Sequence, residues 1–158
     1  MFDVLRHLCL HLLYWSCYHL RMKVVELKKV TKNKYGRVIV NNINLEAHEY
    51  STLYLLSSFG LNIEVIKPSN TPRTKNADYL INGAVWEGKS PDGSGNSTIG
   101  RQFHKAGRQA DRLVLDLRRI KIPAIKAEHD ALNRFEKSRN IKRLLLITKD
   151  GRLLDVKR

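Results

Sequence analysis

The spacing of apolar and polar positions changes period several times along this chain, and each change marks an element. Leu45, Leu53, Leu56 and Phe59 recur at helical spacing, with Asn44 placed to cap and Gly60 to terminate, which predicts a helix over 45–59. Residues 61–66 alternate as a strand, and 68–75 form a polar, basic loop. Two β-prone runs, Tyr79-Leu80-Ile81 and Ala84-Val85-Trp86, flank Asn82-Gly83, the dipeptide suited to the positive φ of a type I′ turn. A Gly/Ser/Asn loop over 90–97 leads into a helix over 98–111 and a strand over 113–117. A helix over 123–138, a strand over 142–148, a turn at Asp150-Gly151 and a strand over 153–156 complete the series. Upstream, 24–27 and 38–40 read as short strands around a Lys-rich turn. From the first helix the order is α-β-β-β-α-β, then α-β-β. That is an α/β class with a mixed central sheet and flanking helices, in one domain over 23–158.

Residues 1–22 stand apart. Leu8, Leu10, Leu12, Leu13, Tyr14, Trp15 and Leu20 make an apolar stretch broken by His7, His11 and His19. It falls short of the about 20 apolar residues a membrane span needs, and it lacks the small-residue cleavage site of a signal peptide. The reading is an appended helix, with Met22 as an alternative start of the domain. His7, Cys9, His11, Cys17 and His19 match no standard zinc spacing, and with both cysteines here nothing in the body depends on a disulfide.

Length and composition add a partner class. The chain has 158 residues, of which 42% are hydrophobic, enough for one ordinary core. Lys and Arg number 29 against 15 acids, a formal charge of +14. Such a surface favours polyanions, either nucleic acid or an acidic protein, although a ribosomal protein or a membrane-surface binder has the same balance.

The hairpin carries the chemistry. A two-residue turn sets the register, pairing Leu80 with Val85, Tyr79 with Trp86 and Asp78 with Glu87, and it puts Asp78, Glu87 and Lys89 on one face. Carboxylates opposed across a sheet, with Cβ atoms about 4.5–5.5 Å apart, repel unless a cation lies between them. A hard divalent ion, Mg²⁺ or a similar metal such as Mn²⁺ or Zn²⁺, answers that need, with Asp78 and Glu87 as metal ligands and Lys89 stabilising phosphate charge or orienting water. The plainer alternative is an exposed hairpin whose acids pair with Lys89 and solvent. Glu49 supplies a third acid on the apolar stripe of the first helix; the alternative there is a stripe-edge position favoured by the helix dipole. In the second helix Arg101, Lys105, Arg108 and Arg112 oppose an apolar stripe of Ile99, Phe103, Ala106, Ala110 and Leu113. This helix follows directly on the Lys89 strand, so Arg101, Gln102, Lys105 and Arg108 are the expected substrate-binding set; the plainer alternative is a solvated cationic face, and the direction of His104 is left open.

Glu49, Asp78 and Glu87-Gly88-Lys89, in this element order, resemble the PD-(D/E)XK nuclease superfamily. The run from Asp78 to Pro91, continued by 97–111 and 113–117, is similar to the C-terminal tRNase toxin domains of contact-dependent growth inhibition proteins and related domains of phage and mobile-element proteins. The likeness covers 45–158; Ala77 stands where the motif often has Pro. It implies a restriction-endonuclease-like core in which Asp78 and Glu87 bind metal, Lys89 is the catalytic lysine, Glu49 is an outer acid, and Gln102 and Lys105 position substrate. The expected function is a metal-dependent endonuclease acting on RNA, tRNA in preference. A DNA endonuclease or a non-catalytic nucleic-acid-binding module are the alternatives. The expected protein partner is an acidic immunity protein, and the expected site of action is cytoplasmic, in the cell of origin or reached as a delivered effector. Some toxin domains of similar placement use metal-free chemistry, which would shift the weight to Arg101, His104 and Lys105.

Overall fold

The computed structural model describes residues 26–31, 34–69 and 75–158. The appended segment over 1–22 with its His/Cys set, the start of the first expected strand and the middle of the loop over 68–75 lie outside the described residues. Along the chain run β1 (Glu26–Val30), β2 (Val38–Ile39), α1 (Ala47–Ser58), β3 (Ile63–Val65), β4 (Tyr79–Ile81) and β5 (Ala84–Lys89). They are followed by α2 (Thr98–Ala106), β6 (Arg112–Asp116), α3 (Ala124–Lys137), β7 (Arg143–Ile147) and β8 (Leu153–Lys157). The order is the one the periodicity predicts.

The strands form one 8-stranded mixed sheet, ordered β1-β8-β7-β6-β5-β4-β3-β2. Strands β5, β6 and β7 run parallel, whereas β4 pairs antiparallel with β5 and β8 with β7. Parallel strands at the centre need cover on both faces, which explains the unbroken apolar runs 113–115 and 144–147. Leu113, Leu115, Leu144 and Leu146 face Ile99 and Phe103 of α2 and Ala127, Ala131 and Phe135 of α3. Val114, Leu145 and Ile147 share the opposite face with Tyr79, Trp86 and with Leu53 and Leu56 of α1.

Asn82 and Gly83 take φ 48 and 78, as a type I′ turn requires, and fix the β4–β5 register at Ile81–Ala84, Leu80–Val85 and Tyr79–Trp86. The start of α1 differs from expectation. Glu46, not Asn44, is the N-cap, because Glu46 and Glu49 form a reciprocal capping box in which the Glu46 N–H donates to Glu49 Oε2 at 2.7 Å. Gly60, at φ 81, closes the helix as expected.

The second helix also ends earlier than its stripe suggests. It stops at Ala106 with Gly107 as C-cap, so Arg108 lies in a turn and Arg112 opens β6. Leu113 continues the apolar stripe from a strand, where inward-facing residues look the same as on a helix.

Candidate active site

Three elements meet at the carboxyl end of β5. The β4–β5 ladder ends at Tyr79–Trp86, and the Asp78 N–H donates to the Trp86 carbonyl at 3.1 Å, one residue short of the expected Asp78–Glu87 pairing. The Asp78 side chain is pinned by the Gly88 N–H, which donates to Oδ2 at 2.8 Å. Glycine is required at this point, since a Cβ on residue 88 would lie 2.5 Å from Tyr79 Cε2. Although Asp78 and Glu87 are not a ladder pair, their carboxyl groups are close enough to act on each other.

Glu87 is only 3% exposed. Its Oε1 accepts a short hydrogen bond from the Lys89 ammonium, whereas its Oε2 is buried without a partner. Leaving a carboxylate oxygen dry and unpaired is costly, so the position calls for a cation or a proton. Desolvation is the largest influence on both acids and raises both carboxyl groups above the ordinary range. For Asp78 the Gly88 N–H and Lys89 oppose that rise and Glu49 adds to it; for Glu87, Lys89 opposes it and Asp78 adds to it. Burial, then Asp78, Glu49 and Glu87, push the Tyr79 phenol upward, so it stays protonated.

A cleft of about 50 Å³ opens above these groups. Asp78, Gly88, Lys89 and Ser90 line it from the sheet, and His48, Glu49 and Thr52 line it from α1. The buried Glu87 does not form part of its wall. The structure therefore brings Glu49 to Asp78 and Lys89, but not as a free inward acid, because one of its oxygens serves the capping box.

The expected substrate-binding set stands outside the wall of this cleft. None of Arg101, Gln102, Lys105 and Arg108 lines the cleft. Helix α2 connects parallel β5 to β6, so it must run back toward the amino ends of the strands. At about 1.5 Å per residue, Lys105 is carried roughly 10 Å from the start of the helix. Arg108 there packs against His104, with Nη2 2.8 Å from Nε2.

What the sequence reading missed is the group holding α1 to the sheet. Asp116, 2% exposed, ends β6 beneath α1 and accepts the Thr52 hydroxyl at 2.6 Å. Arg118 returns its guanidinium to the same carboxylate, Nη2 to Oδ2 at 2.6 Å and Nε to Oδ1 at 3.0 Å, and its Nη1 reaches Ser51 Oγ at 3.0 Å. The Asp-x-Arg spacing is the available signal, but its partner lies 64 residues away in sequence.

The donor set bears on the expected metal. Among the described residues no group of three or more His, Cys, Asp and Glu is placed to hold an ion. Two carboxylates with an orphaned oxygen fit Mg²⁺ or Mn²⁺, which keep much of their water, and do not fit Zn²⁺, which takes at least three protein ligands.

Known proteins are similar to this chain in sequence and in fold. A family model described as the contact-dependent growth inhibition CdiA C-terminal domain matches residues 75–153, half of the chain, from just before β4 into β8. A solved CdiA-CT/CdiI toxin and immunity complex from Burkholderia pseudomallei is similar in fold, with a TM-score of 0.60 at 18% identity, covering 78% of this chain and 100% of that one. No curated protein matches.

Proposed function

The chain belongs to the contact-dependent growth inhibition CdiA C-terminal domain family, and from that premise we propose that it is a toxin that cleaves RNA, tRNA in preference, as a metal-dependent endonuclease of PD-(D/E)XK type. The observation that carries the reading is the buried, unpartnered Oε2 of Glu87, in a carboxyl group coupled to Asp78 and held by Lys89 through its other oxygen. Asp78 and Glu87 would hold Mg²⁺, which when bound polarises the phosphodiester and lowers the pKa of a water.

The remaining work falls to the chain itself. The Gly88 N–H orients Asp78. Glu87 keeps the Lys89 ammonium, about a quarter exposed, at the cleft, where it can approach a phosphoryl oxygen and stabilise developing negative charge. Low local solvation strengthens both contacts, which is the use of burying acids that destabilise the fold when ionised.

A chain of charge +14 suits an RNA backbone, and it also suits an acidic immunity protein; the similar solved structure is itself a toxin and immunity complex. Delivery into another cell, with action on cytoplasmic tRNA, follows from the same reading. Among the described residues no helix is long and apolar enough to cross a membrane.

The test is incubation of the purified chain with total tRNA and with plasmid DNA, in Mg²⁺ and in chelator. The expected result is RNA cleavage in Mg²⁺ that chelator and Glu87→Ala each abolish. Cleavage undiminished by chelator, or no cleavage of either polymer, overturns the reading; plasmid nicking with intact tRNA favours the DNA alternative.

A further inference from the structure

We infer that the substrate's flanking phosphates are held by a basic rim made of Arg119, Lys121 and Lys126, at the carboxyl ends of β5 and β6, rather than by the cationic stripe of α2. The inference rests on the nuclease reading for its substrate and on the topology for its location. In an open α/β sheet, ligands lie at the carboxyl ends of the parallel strands, and the cleft is there, between Ser90 and the Thr52–Asp116 contact. The chain leaving β6 passes over the loop that leaves β5, and three separate contacts tie them. Arg119 Nη2 lies 3.5 Å from Asp92 Oδ2, the Lys121 N–H donates to the Gly93 carbonyl at 3.1 Å, and Lys126 Nζ donates to Asn96 Oδ1 at 2.9 Å.

Reach ties Arg119 to the cleft. Ser90 lines it, and Asp92 is two residues on, at most about 7 Å away along an extended chain. The Arg119 guanidinium at Asp92 is therefore within a phosphate or two of Lys89, and Lys121 and Lys126 continue the line along the same loop. All three side chains are exposed. Asp92 is the single acid in contact with them among the described residues, and at 70% exposure it is well solvated and able to release Arg119 to a phosphate. The opposite end of the sheet is basic too, with Lys137, Arg139 and Lys142 exposed, but none of the three lines the cleft. Charge alone does not separate the two ends; position relative to the acids does.

The experiment compares two triple variants with the same loss of charge: Arg119→Gln/Lys121→Gln/Lys126→Gln at the rim, and Lys137→Gln/Arg139→Gln/Lys142→Gln at the far end. Equal melting temperatures establish that both fold. Binding of fluorescein-labelled tRNA is followed by anisotropy in chelator across a salt series, and cleavage kinetics are measured in Mg²⁺. The rim triple is expected to lower the log K versus log salt slope by about two and to raise KM about tenfold to a hundredfold with kcat retained, while the far-end triple stays near wild type. Equal losses in both triples, or no loss at the rim, overturn the inference and leave the nuclease reading standing. Should the wild-type chain cleave neither RNA nor DNA while the rim still governs the salt slope, the nuclease reading fails and the surface survives.

Discussion

Asp116 is the side chain whose removal should loosen the cleft without touching its acids. It is 2% exposed and receives Thr52, the Arg118 backbone N–H and the Arg118 guanidinium, so Asp116→Ala leaves a guanidinium without its counter-charge. Breaking a buried ion pair by deleting one partner costs about 3–5 kcal/mol, but Arg118 is 25% exposed and regains some hydration, which lowers the expectation to about 2–4 kcal/mol. Thr52 adds little to that cost, since its hydroxyl still donates to the His48 carbonyl at 3.0 Å. For a chain of this length each kcal/mol moves the melting temperature by about 2–4 °C, so a fall of roughly 5–15 °C is expected. Urea unfolding supplies the free energy, with an unchanged m-value showing that the same surface is exposed. Ser51→Ala, which removes only the outer contact to Arg118, should stay within about 0.5 kcal/mol and serves as the control. An Asp116→Ala protein as stable as the control would refute the view that this network clamps α1, and with it His48, Glu49 and Thr52, over the site.

Two further outcomes follow from the carboxyl groups and the hairpin. Burial raises Asp78 and Glu87, so the folded chain holds these protons to higher pH than the unfolded one; their contribution to stability is present below the ordinary carboxylate range and is lost as pH rises through the raised values. In chelator, Asp78→Asn should therefore gain on wild type in melting temperature between about pH 4 and pH 7, and a difference that is flat or shrinks with pH would contradict this. Gly88→Ala drives a Cβ to within 2.5 Å of the Tyr79 ring and should cost about 1–3 kcal/mol, with partial recovery when Tyr79→Leu is added; an additive pair of losses in a double-mutant cycle would show that the clash is not the cause.

Much of this architecture is legible in the amino-acid order because its determinants are local. Asn82-Gly83 sets the hairpin, Gly60 ends α1, and the runs 113–115 and 144–147 mark strands buried on both faces. The departures from the simple pattern arise where the third dimension decides. Arg101, Lys105 and Arg108 read as one helical stripe, yet the helix ends before Arg108 and the return of a parallel crossover carries Lys105 away from the carboxyl ends of the strands, and direction is not written in periodicity. Strict alternation pairs Asp78 with Glu87, but the ladder stops one pair earlier and Asp78 turns to the Gly88 N–H. The Thr52–Asp116–Arg118 group joins segments 64 residues apart, which no short window contains.

The most direct measurement is the single-turnover rate of tRNA cleavage in saturating Mg²⁺ by the wild-type chain and by Lys89→Ala. With Asp78, Glu87 and Lys89 acting together on a phosphodiester, the substitution should slow cleavage by about 10²–10⁴-fold while the protein stays folded. A Lys89→Ala rate within about threefold of wild type would contradict the assignment of this cleft as the place where the chemistry occurs.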